Sequence, residues 1–491
     1  MRSAGIRGAR GTRSTRGAWD TPGTPGTPGT PDTRSTGSRT RHPALLGAAA
    51  TLSCVLILAG CGGGNGHGSG AKDDRSHPVG LAGKGPAQRP VPPGKGSKVD
   101  DDFNGDGARD LVLDDLVHRD HGDDAGIGIV YGGKDGLVPG ARQLLSAHAN
   151  GARTKGELPA AFESEASCDL DEDGFTDLIV STDPPYDGQG RPPVPLQILF
   201  GSPKGLTGKA VKLRVPAQAR FGNDWPDQPV CGDFDGDGAH DLVLHASEAR
   251  LSFLRGPFKR TGAPRAAGKP VTGPGNNLVS GRATDVDGDG YDDVLVRKAA
   301  NASGAAVSAL VLGGPKGPGE TGVLFPAGTD VAFGRFGRGK GTDAAVASPK
   351  GIALRYEVPG TLRDTLEAKN VSVDAGDLDG DGLSELVISG EGSGSGGSAG
   401  DVRVLRGRTA GLAPNATAVT RPAAKGTTQV LQVADFDGDK RADLVVRTYR
   451  GDSGDSADTV AVHPGRESGE LISRDPQLTF STAEFLALSD D

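Results

Sequence analysis

DFNGDGARD, residues 102–110, runs directly into the apolar Leu111-Val112-Leu113. Oxygen-bearing side chains stand at its first, third, fifth and ninth positions: Asp102, Asn104, Asp106 and Asp110. A hard cation such as calcium takes about six to eight oxygen ligands, and alternating carboxylates on a tightly turned loop supply them. Gly107, at the sixth position, permits the sharp turn because glycine tolerates positive φ. The carbonyl of Ala108 offers a further oxygen. An EF-hand opens in the same way but closes on a glutamate at its twelfth position, inside a helix pair. Here that position is Leu113 in an aliphatic run, so the loop feeds a strand.

Repetition gives the loop its weight. It recurs with ligands Asp169, Asp171, Asp173 and Asp177, then Asp233, Asp235, Asp237 and Asp241, then Asp285, Asp287, Asp289 and Asp293. Two later copies carry Asp377, Asp379, Asp381 and Glu385, and Asp435, Asp437, Asp439 and Asp443. Each is followed by a short apolar run such as Leu178-Ile179-Val180 or Leu444-Val445-Val446. An eroded copy, RFGRGKGTD at 335–343, keeps Asp343 and the run Ala344-Ala345-Val346 but not the other three ligands. Intervals of 42 to 67 residues between seven copies mean a propeller or a solenoid.

A second landmark travels with the first. About twenty to thirty residues after most loops comes a strand ending in a glycine turn, as in IVYGGKDGL (129–137), ILFGSPKGL (198–206) and LVLGGPKG (310–317). Strand, acidic loop, strand, hairpin, strand and outer strand make a four-stranded antiparallel blade. These residues resemble the FG-GAP (VCBS-like) repeats of the integrin alpha-chain propeller and of many bacterial secreted proteins, over roughly residues 95–491. The resemblance implies an all-β, seven-bladed β-propeller, with eight blades as the alternative. It also implies a calcium-binding, cell-surface scaffold for adhesion to a protein or glycan ligand.

The chain before the repeats has another composition. Residues 1–41 are rich in Arg, Thr, Gly and Pro and cannot bury a core, so they are expected to be disordered. Residues 44–59 are apolar and uncharged, the length of a signal-peptide core rather than a membrane span. They end in Leu58-Ala59-Gly60-Cys61, which resembles a bacterial lipobox and implies lipidation of Cys61. Residues 1–60 therefore read as a lipoprotein signal peptide with a long basic leader, 61–97 as a Gly- and Pro-rich tether, and 98–491 as the propeller. The expected location is the extracytoplasmic face of the cell membrane, reached by export and held by lipid.

Charge narrows the partners. The chain is formally −9, and residues 1–60 hold eight arginines against two acids, so the remainder carries −15. Six bound calcium ions would bring that to about −3, since 23 of the acids are loop ligands. Nucleic acid is not an expected partner, because phosphate binding needs a basic face. Cys54 lies in the apolar run and Cys61 is the lipid site; Cys168 and Cys231 remain, each just ahead of a loop. They are either a disulfide between successive blades or two buried thiols.

Other chemistry is sparse. Asp114, Asp115, His118, Asp120, His121, Asp123 and Asp124 form an acid and histidine cluster, read as a solvated hairpin rather than a transition-metal site. Gly451-Asp452-Ser453-Gly454 and Arg450-Gly451-Asp452 match short protease and integrin-ligand strings inside a Ser- and Gly-rich loop, where chance supplies such matches. With no HExxH, GxSxG or P-loop, the chain is read as a non-enzyme; a propeller-based hydrolase and a purely structural envelope module are the alternatives. Tyr186 and Trp225 lie in connections on the face opposite the acidic loops, where aromatics contact protein or sugar. Finally, AEFLALSDD (483–491) resembles an inner strand, and residues 485–488 are expected to pair within the first blade and close the ring.

Overall fold

The computed structural model describes residues 87–486, apart from 115, 117–124, 222–224, 247, 299–303, 320–321, 361, 391–400, 416–417, 421–426, 450–457 and 468–469. Cys61, the signal-peptide region, most of the 114–124 cluster and the strings at 450–454 lie outside the described residues.

The apolar run after each loop becomes the second strand of a blade, buried on both faces, as aliphatic runs at the middle of a sheet must be. Seven antiparallel sheets result, in chain order, and the chain is a seven-bladed propeller. Blade 2 is typical: Phe162–Cys168, Asp177–Thr182, Leu196–Leu199 and Val211–Lys212, paired in sequence order. Blades 5, 6 and 7 repeat that order from Asp330–Gly334, Val371–Gly376 and Thr427–Ala434. Seven apolar clusters fill the seven seams between neighbouring blades. The seam between blades 7 and 1, for example, joins Leu111, Leu113 and Val130 to Phe436, Val445, Val460 and Phe480.

Two blades depart from the plan. Among the described residues blade 1 has three strands, Leu111–Leu113, Ile127–Val130 and Arg142–Leu145, and no inner strand ahead of its loop. Blade 4 splits its inner strand: Asn277–Leu278 pairs within the blade, whereas Gly281–Arg282 pairs parallel with Val230 and Cys231 of blade 3.

Ring closure corrects the sequence reading. Ala483–Leu486 is one helical turn, not a strand, and the rest of that segment, 487–491, lies outside the described residues. The cause is a capping box, Ser481-Thr482-Ala483-Glu484. Glu484 Oε1 accepts from the Ser481 amide at 3.3 Å, and Ser481 Oγ accepts from the Ala483 amide at 3.3 Å. The turn still docks on blade 1: Phe485 is fully buried in the seam, and the Arg142 Nε of blade 1 donates to the Glu484 carbonyl at 3.2 Å. Gly128 of blade 1 leaves room for it, since a Cβ there would stand 2.9 Å from the Phe485 ring. Arg447 of blade 7 adds a second clasp, donating from Nη1 to the Asp114 carbonyl at 2.7 Å while pairing with Asp458. Side chains, not a shared strand, join last blade to first in the described residues.

The chain ahead of blade 1 also belongs to the propeller. Gly94 donates to the Asn104 carbonyl, Lys95 and Gly96 to that of Gly105, and Ser97 to that of Gly174. This segment, assigned by composition to the tether, lies across the first two acidic loops.

Candidate cation-binding loops

Each loop is built by its own carboxylates. In loop 2, Asp169 accepts from the amides of Asp173 (3.1 Å) and Gly174 (2.8 Å), and Asp173 accepts from Phe175 (3.1 Å). The bond from the first residue to the sixth amide recurs in the other intact loops, for instance Asp233 to Gly238 and Asp435 to Lys440, whereas in loops 6 and 7 the fifth amide turns to the third residue, Asp379 or Asp437. The turn needs left-handed backbone, which Gly107, Gly238 and Gly290 supply at the sixth position with φ of 91°, 88° and 93°. Loop 7 forces Lys440 into it, at φ 72°.

The ninth residue has a separate task. Asp177 Oδ2 accepts from the Leu170 amide at 2.9 Å and Oδ1 from the Gly201 amide at 2.8 Å, stapling the loop's second residue to the glycine turn of the third strand. Asp110, Asp293, Glu385 and Asp443 make the corresponding pair of bonds. Burial and the neighbouring carboxylates push these acids up, Asp241, Asp293 and Asp443 to about 7 and Glu385 to about 8. The second residue is fully buried in every copy: Phe103, Leu170, Phe234, Val286, Phe336, Leu378 and Phe436. Sequence reading missed this position, although an apolar residue stands there in all seven copies.

The first, third and ninth residues converge. Carboxylate oxygens lie within 4.8 Å of one another in Asp169–Asp171–Asp177, Asp233–Asp235–Asp241, Asp377–Asp379–Glu385 and Asp435–Asp437–Asp443. In loop 4 the group is Asp285–Asp287–Asp289, without Asp293. Among the described residues no such three-acid group forms at loop 1 or loop 5. The fit to a cation shows in the third position. Asn104 Oδ1, Asp171 Oδ1 and Asp235 Oδ1 are buried acceptors with no hydrogen-bond partner, as is Asp241 Oδ2. Buried oxygens without donors are costly unless a ligand completes them, and hard oxygens in this number suit calcium. At loop 1 the Asn104 Nδ2 donates to the Pro92 carbonyl at 2.7 Å and Ser97 Oγ to Asp102 at 2.6 Å.

Loop 5 keeps the staple and loses the rest. Asp343 Oδ2 accepts from Phe336 and Oδ1 from Glu357, both at 2.7 Å, and burial pushes Asp343 up to about 6. The Glu357 side chain reaches the loop and accepts from the Lys340 amide at 3.2 Å.

The remaining sequence candidates are placed as follows. Cys168 and Cys231 are bridged, with Cα atoms 6.5 Å apart, tying the inner strands of blades 2 and 3. Tyr186 and Trp225 meet edge to face, ring centroids 5.7 Å apart. Tyr186 is 37% exposed and donates its hydroxyl to the Gly190 carbonyl at 2.8 Å, and Trp225 is half-buried. Asp114, the described member of the acid and histidine cluster with a side-chain contact, accepts from the Ser164 amide at 3.0 Å, a structural bond to blade 2.

Comparison with known proteins follows the geometry. Residues 377–446, from loop 6 into blade 7, match the FG-GAP-like repeat family. No curated protein matches the chain. Among solved structures, BBS1N in complex with ARL6DN is 13% identical at a TM-score of 0.40, over 74% of this chain and 90% of that one. An Agrocybe aegerita lectin recognising non-reducing terminal N-acetylglucosamine is 13% identical at 0.32, over 77% and 82%. The V. cholerae biofilm matrix protein Bap1 is 11% identical at 0.33, over 75% and 89%. These likenesses are too distant to carry function.

Proposed function

Because the chain is an FG-GAP repeat β-propeller, we propose that it is an exported binding scaffold, held at the membrane through Cys61 and stabilised by up to six calcium ions. Its ligand is a protein or a glycan and docks on the face opposite the cation loops. The observation that supports this reading is the meeting of Tyr186 with Trp225, from separate connections, into one partly exposed aromatic pair. Such a pair offers an apolar body with polar tips, the surface that protein and sugar contacts use. Calcium would be held by the first, third, fifth and ninth side chains of the intact loops and would offset their mutual repulsion. No step of chemistry is assigned to it.

A glycan array read alongside a pull-down from envelope extracts tests the proposal, with the Tyr186→Ala/Trp225→Ala double variant as control. Binding of a glycan or protein that falls at least tenfold in the variant supports it. Undiminished binding by the variant removes the aromatic pair from the site; turnover of an array glycan would favour the hydrolase alternative.

A further inference from the structure

The intact loops differ in what stands beside their carboxylates. At loop 4, Asp285, Asp287, Asp289 and Asp293 have no cationic partner among the described residues. At loop 3, Arg255 lies 3.1 Å from Asp235 and Arg265 pairs with Asp237. At loop 6, Arg406 lies 3.0 Å from Asp379, and at loop 7 Arg441 pairs with Asp439. Each of these arginines belongs to the blade whose loop it touches.

Loop 2 takes its arginine from the next blade. Arg260 sits in the turn between the third and outer strands of blade 3 and crosses the seam. Its Nε lies 2.6 Å from Asp171 Oδ2, its Nη2 pairs with Asp173, and its plane stacks 5.2 Å over the Phe200 ring. The turn that carries it is fixed. Lys259 bridges to Ala263, and Arg214 of blade 2 donates to the Gly262 carbonyl at 2.7 Å. Gly262 is required there, being left-handed at φ 76° with a would-be Cβ 2.1 Å from the Lys212 carbonyl. Even so, Asp171 Oδ1 remains buried without a partner, on a side chain only 9% exposed and within 4.8 Å of its fellow ligand atoms. The guanidinium satisfies Asp171 Oδ2 and Asp173 Oδ2 and leaves Asp171 Oδ1 open.

We propose that Arg260 is the built-in counter-ion of loop 2, holding Asp171 and Asp173 in the absence of calcium and competing with calcium for them. The inference rests on the loops being calcium sites. A guanidinium fork offers donors to both carboxylates at once, whereas a divalent ion needs the same oxygens turned inward as ligands. Loop 2 is therefore a weak site and loop 4, with four carboxylates and no arginine, the tight one. Arg260 also keeps blades 2 and 3 joined without metal, beside the Cys168–Cys231 bridge.

The test is calcium titration of the full chain by calorimetry, with ion counting by native mass spectrometry, on the wild type and on Arg260→Gln. The expected result is a split. The variant melts lower in chelator, yet one site binds calcium roughly tenfold tighter, the scale of one charge-assisted hydrogen bond. An arginine with a merely structural role would lower stability and leave or weaken affinity, and that outcome overturns the proposal. Arg260→Lys, which keeps the charge but not the fork, serves if the glutamine variant fails to fold, with a smaller tightening expected. A wild type that binds no calcium overturns the calcium reading and this inference together; calcium binding with no tightening in either variant overturns this inference alone.

Discussion

Loops 4 and 5 follow one another in the ring and carry opposite charge. Loop 4 presents five aspartates, and the four at its ligand positions have no cationic partner among the described residues. Loop 5 presents Arg335, Arg338 and Lys340 in the same stretch and a single acid, Asp343. What survives in loop 5 is what the fold uses: the buried Phe336 and the two amide bonds to Asp343, matched in loop 4 by Val286 and the bonds to Asp293. Even the link to the next blade survives, because it uses main chain: the Ser384 amide donates to the Arg335 carbonyl at 2.7 Å, as Asp292 does to Asp233 at 3.0 Å. The second and ninth positions hold the blade whether or not acids stand at the first, third and fifth.

Removing divalent ions would separate the two loops most. A site filled at about a hundred times its dissociation constant contributes about 2.7 kcal/mol, and a domain of this size shifts Tm by roughly 2 °C per kcal/mol. Two such sites already move Tm by about 10 °C. Metal analysis is expected to give at most six ions per chain, none at loop 5, with a large Tm loss in excess chelator. A melting curve indifferent to chelator would end the calcium reading, and seven stoichiometric ions would end the contrast between the loops.

Asp343→Ala comes next in size. It leaves the buried Phe336 amide and the partly buried Glu357 amide without their acceptor; an orphaned buried donor costs about 1–3 kcal/mol and a partly buried one less. The expected loss is about 2–4 kcal/mol by denaturant unfolding, equal with and without calcium. Asp289→Asn at loop 4 should instead cost stability in calcium and almost nothing in chelator. If Asp343→Ala were neutral, the ninth residue would be a cation ligand only, and its survival in loop 5 would be unexplained.

Most of this architecture was legible from the loops because each one combines a local turn requirement with a strand-forming run, and both are short-range. The second-position residue was equally legible and was overlooked, since attention to oxygen ligands hides the apolar side chain between them. The strand expected at the C-terminus failed for a local reason: Phe485 and Leu486 look like a strand, but Ser481 and Glu484 cap a helical turn first. The missing inner strand of blade 1 and the reach of Arg260 across a seam are long-range, and nothing in the spacing of residues 98–101 or 256–263 announces them. Tyr186 and Trp225 stood out as lone aromatics, but only the folded chain brings them to one place.

The smallest effect separates charge from backbone at loop 5. Arg338 stands at the fourth position, where loops 1, 3, 4, 6 and 7 have glycine, and it adopts the same left-handed φ, 63°. Its side chain returns something for that strain: Nε donates to the Ala410 carbonyl at 2.7 Å, the guanidinium lies 4.5 Å from the Tyr356 ring centre, and it pairs with Asp364 at 2.8 Å. The ion pair is exposed and contributes little, and the ring contact about 0.5–1 kcal/mol. Arg338→Ala keeps the left-handed strain and loses all three contacts, so it is expected to cost about 1 kcal/mol. Arg338→Gly loses the same contacts but relieves roughly 1–2 kcal/mol of strain, and should come out near neutral. Chemical denaturation of the two variants side by side, in chelator, reads the difference. Equal losses for both would mean that the contacts of Arg338, not its backbone, decide the shape of loop 5.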